Sequence, residues 1–471
     1  MLATLERIAR FAPRRRTLVL GVLVLLVAAL GAAVGYYFYE GRSRAITGSS
    51  TEEFVPTENP ADTTTVPPIT TQPGPKPRPS LDAQWPTYGR DVQRTHVSPA
   101  KHHPPYRRVW MLRARHYIEF PPAVAYDKVF VAQQRGLFFA LNAETGKQLW
   151  TKNFHRCAAA SPTVWRGVVY QVLMHELPCR KNQAGATGML IAMNARTGRE
   201  LWSFRPGAIE SSPLIVNGII YFGSWDRNVY AIDVRTKKVK WRFRTDDKVV
   251  AGPAYAHGTI YVPTNSGHLY AIDARTGRQR WRNASFSRFG RREYFYATPT
   301  VAYGRVFIGN ADGYVYSYGA KSGKLIWAQR AGTYVYTAAA VWRQTVYVGT
   351  WDGWVVAFDA ATGKTRWRHD SPGGVSGAPT VMDGLLYYST LGGFGGRHKR
   401  RVEPGANQTF ALDALTGKRV WSFPDGAYSP IVADRDRVYL VGRTRVYGLE
   451  DKRPPVKPAT TAKRKRRLAT R

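Results

Sequence analysis

The sequence predicts an all-β fold, an eight-bladed β-propeller of four-stranded antiparallel blades, preceded by one N-terminal transmembrane helix. Three observations support it. A turn ending in tryptophan recurs about every 40 residues. Short β-branched and aromatic runs separate the recurrences, and 23 residues from Thr17 to Tyr39 carry no charge. With 471 residues, 44% of them hydrophobic and 13% aromatic, the chain can bury a large core.

The recurrent turn has the form Thr-Gly-Lys/Arg-x-x-Trp. It occurs at 145–150, 197–202, 276–281, 362–367 and 416–421, with variants at 236–241 and 322–327. The seven tryptophans are 52, 39, 40, 46, 40 and 54 residues apart. Three short runs precede each one, such as 252–255, 259–262 and 268–273 before the fourth run at 278–281. Four strands per repeat at this period are typical of a propeller blade.

The ends of the repeat region set the blade count. The last unit has three strands and no tryptophan turn after them, whereas residues 107–110 form a fourth strand with no preceding three. Together they complete an eighth blade and close the ring, which leaves no free sheet edge. We expect the eight fourth-strand tryptophans to pack between neighbouring blades: Trp110, Trp150, Trp202, Trp241, Trp281, Trp327, Trp367 and Trp421.

Each turn has its own structural requirements. The glycine of the Thr-Gly pair can take positive φ, which a tight turn needs. An Asn or Asp shortly before it can cap the turn with its side chain. The residues expected in this role are Asn142, Asn194, Asp233, Asp273, Asp359 and Asp413.

The N-terminus predicts a single-pass membrane protein. Residues 1–16 include five arginines, and the uncharged run 17–39 is long enough to span a bilayer. A cleaved signal peptide is the alternative, but its apolar core is usually 7–15 residues. The positive-inside rule then places residues 1–16 in the cytoplasm and the propeller outside the cell membrane.

Two segments flank the predicted propeller at 84–450. Residues 40–83 are rich in Thr, Pro, Ser and Gly, which predicts a disordered stalk. Residues 451–471 include the basic run 463–467 and nothing to bury, which predicts a disordered basic tail.

The charge of the chain bears on its partners. The formal net charge is +37, and residues 84–450 alone hold 51 Lys and Arg against 24 Asp and Glu. Such a surface attracts polyanions and anionic lipid headgroups. For a protein outside the membrane we expect a protein or an acidic envelope polymer as the partner and do not expect nucleic acid. High arginine content as a trait of the whole proteome is the alternative explanation.

The repeat quoted above resembles the pyrroloquinoline-quinone (PQQ) repeat family, and Gln84–Asp91 resembles the lead-in of those propellers. The resemblance covers about residues 84–450. Two kinds of protein share the repeat: quinoprotein alcohol dehydrogenases, and the non-catalytic outer-membrane assembly lipoprotein of bacteria. The second is lipid-anchored, whereas this chain is predicted to have a transmembrane helix.

The resemblance also implies what a dehydrogenase would need, namely a disulfide between adjacent cysteines, a calcium ion held by Glu and Asn, and an Asp base. The two cysteines, Cys157 and Cys179, are not adjacent. Glu119 and Glu210 each lie three residues before a first-strand proline, a position expected to face the channel, where two acids could bind a cation. No third ligand and no catalytic residue can be named, so we expect no cofactor, with PQQ and calcium only under the dehydrogenase alternative.

Three insertions into the repeat, at 175–187, 286–295 and 392–407, are predicted to lie on one face, because loops entering first strands and loops joining second and third strands emerge on the same side. We expect this face to bind the partner through Arg288, Arg291, Arg292, Arg397, Lys399, Arg400 and Arg401. The same geometry brings Cys157 beside Cys179 and predicts a disulfide, which an exported compartment permits.

These observations favour a non-enzymatic extracytoplasmic scaffold that binds through the inserted face. The alternative is a PQQ-dependent quinoprotein dehydrogenase.

Overall fold

The computed structural model describes residues 13–41, 45–63, 84–179, 185–288, 290–392, 406–428 and 430–452. Within these ranges the helices are α1 (Pro13–Gly41) and α2 (Pro60–Thr63), and the remaining regular structure is β. Ahead of the blades come the short strand β1 (Val97–Ser98) and the long strand β2 (Tyr106–Arg113).

Blades one to four follow in chain order, each a four-stranded antiparallel meander. Blade one consists of β3 (Ala123–Ala125), β4 (Lys128–Ala132), β5 (Leu137–Asn142) and β6 (Gln148–Asn153), and blade two of β7 (Thr163–Trp165), β8 (Val168–Leu173), β9 (Met189–Asn194) and β10 (Glu200–Phe204). Blade three consists of β11 (Leu214–Val216), β12 (Ile219–Gly223), β13 (Asn228–Asp233) and β14 (Val239–Arg244), and blade four of β15 (Ala254–Ala256), β16 (Thr259–Pro263), β17 (His268–Asp273) and β18 (Gln279–Ala284).

A two-stranded hairpin, β19 (Ser287–Arg288) and β20 (Arg291–Arg292), separates blade four from blade five. Blade five consists of β21 (Thr300–Ala302), β22 (Arg305–Gly309), β23 (Tyr314–Gly319) and β24 (Leu325–Arg330), and blade six of β25 (Ala340–Trp342), β26 (Thr345–Gly349), β27 (Trp354–Asp359) and β28 (Thr365–Asp370). Blade seven consists of β29 (Thr380–Met382), β30 (Leu385–Ser389), β31 (Thr409–Asp413) and β32 (Arg419–Phe423). The last three strands, β33 (Ile431–Ala433), β34 (Val438–Val441) and β35 (Arg445–Asp451), belong to blade eight.

The eighth blade is built from both ends of the propeller, as predicted. Strand β2 pairs antiparallel with β35, and the sheet order is β2-β35-β34-β33. Tyr106 lies opposite Asp451 and Trp110 opposite Gly448. The eight-bladed ring of four-stranded blades is therefore confirmed, and its closure joins residues more than 300 positions apart.

The fourth-strand tryptophans join each blade to the next. The indole Nε1 of Trp110 donates to the carbonyl of Ala143 at 3.0 Å, and Trp281 donates to Ala320 in the same way. The ring also covers the turn glycine of the following blade: Gly277 has φ +74°, and a Cβ added there would lie 2.7 Å from Trp241. These glycines are thus required both for their backbone conformation and for the space they leave.

The predicted turn caps are present. The Asp273 carboxylate accepts hydrogen bonds from the N–H and hydroxyl of Thr276, both at 2.8 Å. The same contacts recur in the other turns, around Asn142, Asn194, Asp233, Asp359 and Asp413. A carboxylate or amide oxygen at this position satisfies turn N–H groups that have no ladder partner.

The ring has two faces, defined by which connections lie on them. The channel face carries the loops that enter first strands and the loops that join second to third strands. The turn face carries the turns that join first to second strands and third to fourth strands. In an up-and-down meander these two sets emerge on opposite sides.

Residues 45–63 differ from the stalk expected for 40–83, because they lie against blades five and six on the turn face. Ile46 pairs with Ala328, and the Glu53 carboxylate accepts hydrogen bonds from the N–H groups of Lys321 and Ser322. Phe54 packs on Tyr303 at 5.5 Å between ring centroids. The sequence did not predict these contacts, because each is made by a single residue and the segment has no periodic apolar pattern.

The lead-in, residues 84–98, runs around the inside of the ring. Trp85 pairs with Val124 of blade one, and carbonyls further along accept hydrogen bonds from the middle residues of the first strands of blades two, four, five and six. β1 then adds parallel to β29 of blade seven. We call this segment the channel floor, since it lies inside the first strands that form the channel wall.

Helix α1 spans 29 residues, and its described side chains, from 20 to 34, are exposed. In the described ranges, no helix is both long and apolar enough to cross a membrane. The predicted transmembrane helix at 17–39 is therefore not shown and stays a prediction. Residues 1–12 and the tail from 453 onward lie outside the described residues.

Candidate functional site at the channel mouth

An open pocket lies in the channel, above the floor. Its walls come from the loops that enter the first strands of seven blades, and Tyr88 contributes from the floor. The lining residues are Tyr88, Glu119, Phe120, Glu210, Ser212, Val250, Ala251, Gly252, Tyr296, Thr298, Tyr336, Ser376, Gly377, Ala378 and Tyr428. The pocket therefore belongs to the channel face.

Both acids that the sequence placed in the channel line this pocket. Glu119 and Glu210 stand three residues before Pro122 and Pro213, and the repeat carries the same position into every blade. The same position in the other blades holds four further pocket residues, of which Val250 and Ser376 stand three residues before Pro253 and Pro379. Tyr296 stands three residues before Pro299, and Tyr336 occupies the corresponding place in blade six.

One acid is buried and bonded to a tyrosine. The Glu210 side chain is 8% exposed and accepts a hydrogen bond from the Tyr296 hydroxyl. Burial, followed by the charges of Glu210 and Glu119, raises the pKa of Tyr296 well above its usual value. Burial and Glu119 also raise the pKa of Tyr428. Both tyrosines are therefore neutral hydrogen-bond donors at physiological pH, and the pocket as a whole is acidic.

A buried arginine holds the floor against the blades. All five N–H donors of Arg94 are used, by the carbonyls of Tyr88, Ser212, Pro213 and Pro253 and the Thr87 hydroxyl. Burial lowers the pKa of Arg94 to about 10, so it remains charged at neutral pH. Because no donor is left over, this arginine fixes the floor and offers nothing to a ligand.

Aromatic side chains surround the mouth of the pocket between blades five and six. Tyr336 stacks on Tyr334 and Tyr294 and meets the edge of Trp351, with ring centroids 5.4–6.0 Å apart. The hydroxyls of Tyr294 and Tyr336 are 2.6 Å apart. Tyr334 is 43% exposed. We call Tyr294, Tyr334, Tyr336 and Trp351 the aromatic cluster.

The second insertion lies beside this cluster. Arg288, Arg291 and Arg292 are exposed in the β19–β20 hairpin, and the Arg292 Nε donates to the Ser285 carbonyl at 3.3 Å. Tyr294 follows the hairpin by two residues. The other predicted basic contacts, Arg397, Lys399, Arg400 and Arg401, lie outside the described residues.

The predicted disulfide between Cys157 and Cys179 is present, with the two Cα atoms 5.5 Å apart. It joins the loop entering blade two to the loop between the second and third strands of the same blade. In the loop-entropy model, closing 22 residues stabilises the fold by about 3 kcal/mol. Its position on the channel face stabilises the first insertion at its base.

The pocket does not fit PQQ with calcium. PQQ is a tricarboxylate, and none of the described lining residues is a lysine or arginine, whereas two are glutamates. Among the described residues, no group of three or more His, Cys, Asp or Glu side chains could hold a metal ion. The disulfide joins residues 22 apart, not the adjacent pair that the resemblance implies. No catalytic step through this cofactor follows from these residues.

Comparison with known families assigns the repeats. The family model described as outer membrane protein assembly factor BamB matches residues 107–204, 180–250, 226–338 and 311–453. These matches cover the whole propeller from its first closing strand to its last. The chain belongs to this family of PQQ-like repeat propellers.

Curated relatives of both kinds match, each over part of its length. The quinohemoprotein alcohol dehydrogenase ADH-IIG of Pseudomonas putida is 32% identical over 152 residues, which are 27% of this chain and 20% of that protein. The outer membrane protein assembly factor BamB of Moranella endobia is 27% identical over 139 residues, 28% of this chain and 34% of that protein. The matches span about a fifth to a third of these relatives.

Solved structures show the same fold at low identity. BamB of Moraxella catarrhalis superposes with a TM-score of 0.57 at 16% identity, covering 74% of this chain and 99% of that one. The quinohemoprotein alcohol dehydrogenase of Comamonas testosteroni gives 0.61 at 15% identity, covering 80% and 82%. This likeness establishes the propeller and does not choose between the two functions.

Proposed function

We propose that this chain is a non-enzymatic propeller scaffold, held at the outer surface of the cell membrane, that binds a protein or an acidic envelope polymer through its channel face. The observation that carries the proposal is that an exposed arginine hairpin leads within two residues to Tyr294 of the aromatic cluster at the channel mouth. One group of relatives is the outer membrane protein assembly factor BamB, and an assembly factor is consistent with a docking role.

Arginine and aromatic residues together are the usual composition of binding hot spots. Tyr and Trp offer large, stiff contact areas, and Arg offers a planar fork of donors for carboxylates. Tyr334 is the exposed member of the cluster, and Arg291 and Arg292 are exposed within the hairpin. An extended acidic segment could therefore lie on the aromatic cluster and pair its carboxylates with the hairpin.

Two further features support the proposed location. The disulfide between Cys157 and Cys179 suits an oxidising compartment outside the cytoplasm. The described side chains of α1 are apolar and exposed, with Leu25 and Leu30 each 70% exposed, and a bilayer would cover such a surface. The membrane anchor at 17–39, with residues 1–16 in the cytoplasm, is part of this proposal.

Site-specific crosslinking in cells tests the binding face. A photoreactive phenylalanine analogue replaces Tyr334 in the full chain, and a control chain carries it in place of Leu415, which is 60% exposed in a third-to-fourth strand turn on the turn face. Irradiation should give a discrete protein adduct, or a heterogeneous polymer adduct, at position 334 and not at position 415. Equal adducts at both positions, or none at 334, would refute the proposal.

A matched pair of charge-reversal variants sharpens this test. Arg288→Glu, Arg291→Glu and Arg292→Glu together should reduce the adduct at position 334 by about tenfold or more, since like charge across an interface costs several kcal/mol. Arg235→Glu, Lys237→Glu and Lys238→Glu change the net charge equally on the turn face. That control should leave the adduct unchanged.

A further inference from the structure

The turns that join third to fourth strands concentrate positive charge on the turn face. Twelve of their lysines and arginines are exposed: Lys147, Arg196, Arg199, Arg235, Lys237, Lys238, Arg275, Arg278, Lys321, Lys324, Lys364 and Lys418. Among the described residues of the same turns, the acids are Glu144 and the four capping aspartates Asp233, Asp273, Asp359 and Asp413. Positive charges therefore outnumber negative ones by more than two to one.

The capping aspartates are occupied within the turns. Asp359 accepts hydrogen bonds from Thr362 and forms an ion pair with Arg366 at 2.8 Å, and Asp273 does the same with Thr276 and Arg280. These contacts lower the pKa of both carboxyls. Because the carboxylates are directed into their own turns, the charges at the tips of the turns are those of the lysines and arginines.

The arrangement of these charges suits a flat partner. The turns stand at equivalent positions in seven successive blades, so their tips form a ring around the face and do not converge on one cleft. A ring of separate charges fits a planar array of negative groups better than a single small ligand. An anionic leaflet is such an array, and each Lys or Arg close to it adds to binding.

The turn face already binds negative charge from this chain. The docked segment 45–63 holds Glu52, Glu53, Glu58 and Asp62, and Lys324 pairs with Glu52 at 2.6 Å. This segment covers parts of blades four to six. The basic turns of blades one to three and seven lie outside it.

The C-terminal end of the described propeller chain meets this face. The Lys452 N–H donates to the Pro105 carbonyl where β2 begins and β35 ends, on the side of the third-to-fourth strand turns. The sequence beyond Lys452 contains the basic run 463–467. The last described residue of the propeller therefore lies on the turn face.

We propose that the turn face docks on the anionic headgroups of a lipid bilayer, through the exposed lysines and arginines of its third-to-fourth strand turns. The propeller then lies with its turn face on the membrane and its channel mouth directed away from it. This inference uses the opposite side of the ring from the proposed partner site, so either one can fail without the other.

Energy transfer to lipid headgroups tests the orientation. The full chain is reconstituted in vesicles of phosphatidylcholine alone or with phosphatidylglycerol, with an acceptor dye on the headgroups. A donor dye is attached at Leu415→Cys on the turn face or Tyr334→Cys on the channel face. The chain has only two cysteines and both are in the disulfide, so the added cysteine is the one that reacts.

We expect transfer from position 415 to rise about threefold when phosphatidylglycerol is present and to fall again in high salt, where surface charge is screened. Transfer from position 334 should stay low. Arg235→Glu, Lys237→Glu and Lys238→Glu together should remove the rise. Arg288→Glu, Arg291→Glu and Arg292→Glu, an equal charge change on the other face, should keep it.

Three results would overturn the proposal. Transfer from position 334 as high as from 415 would mean that the turn face is not oriented toward the bilayer. An equal signal in phosphatidylcholine alone would mean that anionic headgroups are not recognised. A rise that survives charge reversal at 235, 237 and 238 but is lost on reversal at 288, 291 and 292 would assign lipid binding to the channel face.

Discussion

The two faces of this propeller are built from the same repeat but follow different rules. On the turn face, the turns between third and fourth strands keep one geometry, because in six of the seven turns a glycine must fit against the tryptophan of the preceding blade. On the channel face, the loops entering the first strands range from short connections to the hairpin of blade five, and their central residues are Glu, Ala, Val, Tyr or Ser. The residue type is constrained at a position that packs between blades, whereas it varies at a position that faces the channel.

Two glycines of identical φ, one on each face, allow the packing constraint of the turn face to be measured as a difference in unfolding free energy. Gly277 and Gly290 both have φ +74°, but a Cβ at Gly277 would lie 2.7 Å from Trp241, whereas nothing lies within 4 Å at Gly290. Gly290→Ala should cost about 1 kcal/mol of unfolding free energy, the cost of left-handed backbone alone. Gly277→Ala should cost about 2–4 kcal/mol, because the tryptophan must also move.

Chemical denaturation of the two variants and the parent gives both free energies. The difference between the variants isolates the tryptophan contact, since the two glycines have the same φ. Equal losses would mean that the turn glycines are needed only for φ and that the tryptophans do not enforce the uniform turn face.

The features of the turn face could be predicted from the sequence, whereas those of the channel face could be predicted only in part. The ring, its closure by β2 and the turn caps were predictable because five blades repeat the same Thr-Gly and Trp and two more carry close variants of this turn. Tyr296 and Tyr336 were missed because the channel position varies from blade to blade and was noticed only where it held an acid. The repeat places both at the position of Glu119 and Glu210, since Tyr296 stands three residues before Pro299 and Tyr336 three residues before Ala339, which replaces the proline in blade six.

The parts without a repeat could not be predicted. Arg94 reads as one more arginine in a basic chain, and only the fold brings the carbonyls of Ser212 and Pro253 to it from over 100 residues away. Residues 45–63 have the composition of a linker, yet Phe54 and the neighbouring acids find partners on blades five and six. Contacts of this kind depend on tertiary proximity and leave no local signal.

Opposite pH dependences should also separate the two faces. Burial raises the pKa of Asp312, in a channel-face loop of blade five, to about 6, although Tyr316 and the Tyr314 N–H bond to it. The hydrogen bond from Arg280 lowers the pKa of Asp273 on the turn face. Between about pH 4 and 6 the folded chain binds a proton at Asp312 that the unfolded chain has released, so this group's contribution to stability falls as pH rises.

Asp312→Asn should remove that fall and raise the unfolding free energy at pH 7 by about 2 kcal/mol. Asp273→Asn should lower the unfolding free energy at pH 7, and by a smaller amount. The stability that Asp273 contributes is present above about pH 4 and lost below it, and its exposure keeps the effect under about 1 kcal/mol. Denaturation curves from about pH 2 to pH 7 check both, and the same slope between pH 4 and pH 6 in parent and Asp312→Asn would contradict the assigned shift.

The smallest expected effect is the most informative about the channel face. Thermal melting of the full chain in detergent, with and without PQQ and calcium, should show no shift, because Glu119 and Glu210 repel a tricarboxylate and the described lining offers no lysine or arginine to bind it. Addition of simple alcohols and a redox dye should give no turnover. A saturable rise in melting temperature together with dye reduction would establish the dehydrogenase alternative, and Glu119→Gln and Glu210→Gln would then show whether these acids hold its calcium. A rise without turnover would leave the scaffold proposal standing and make the channel a ligand site as well.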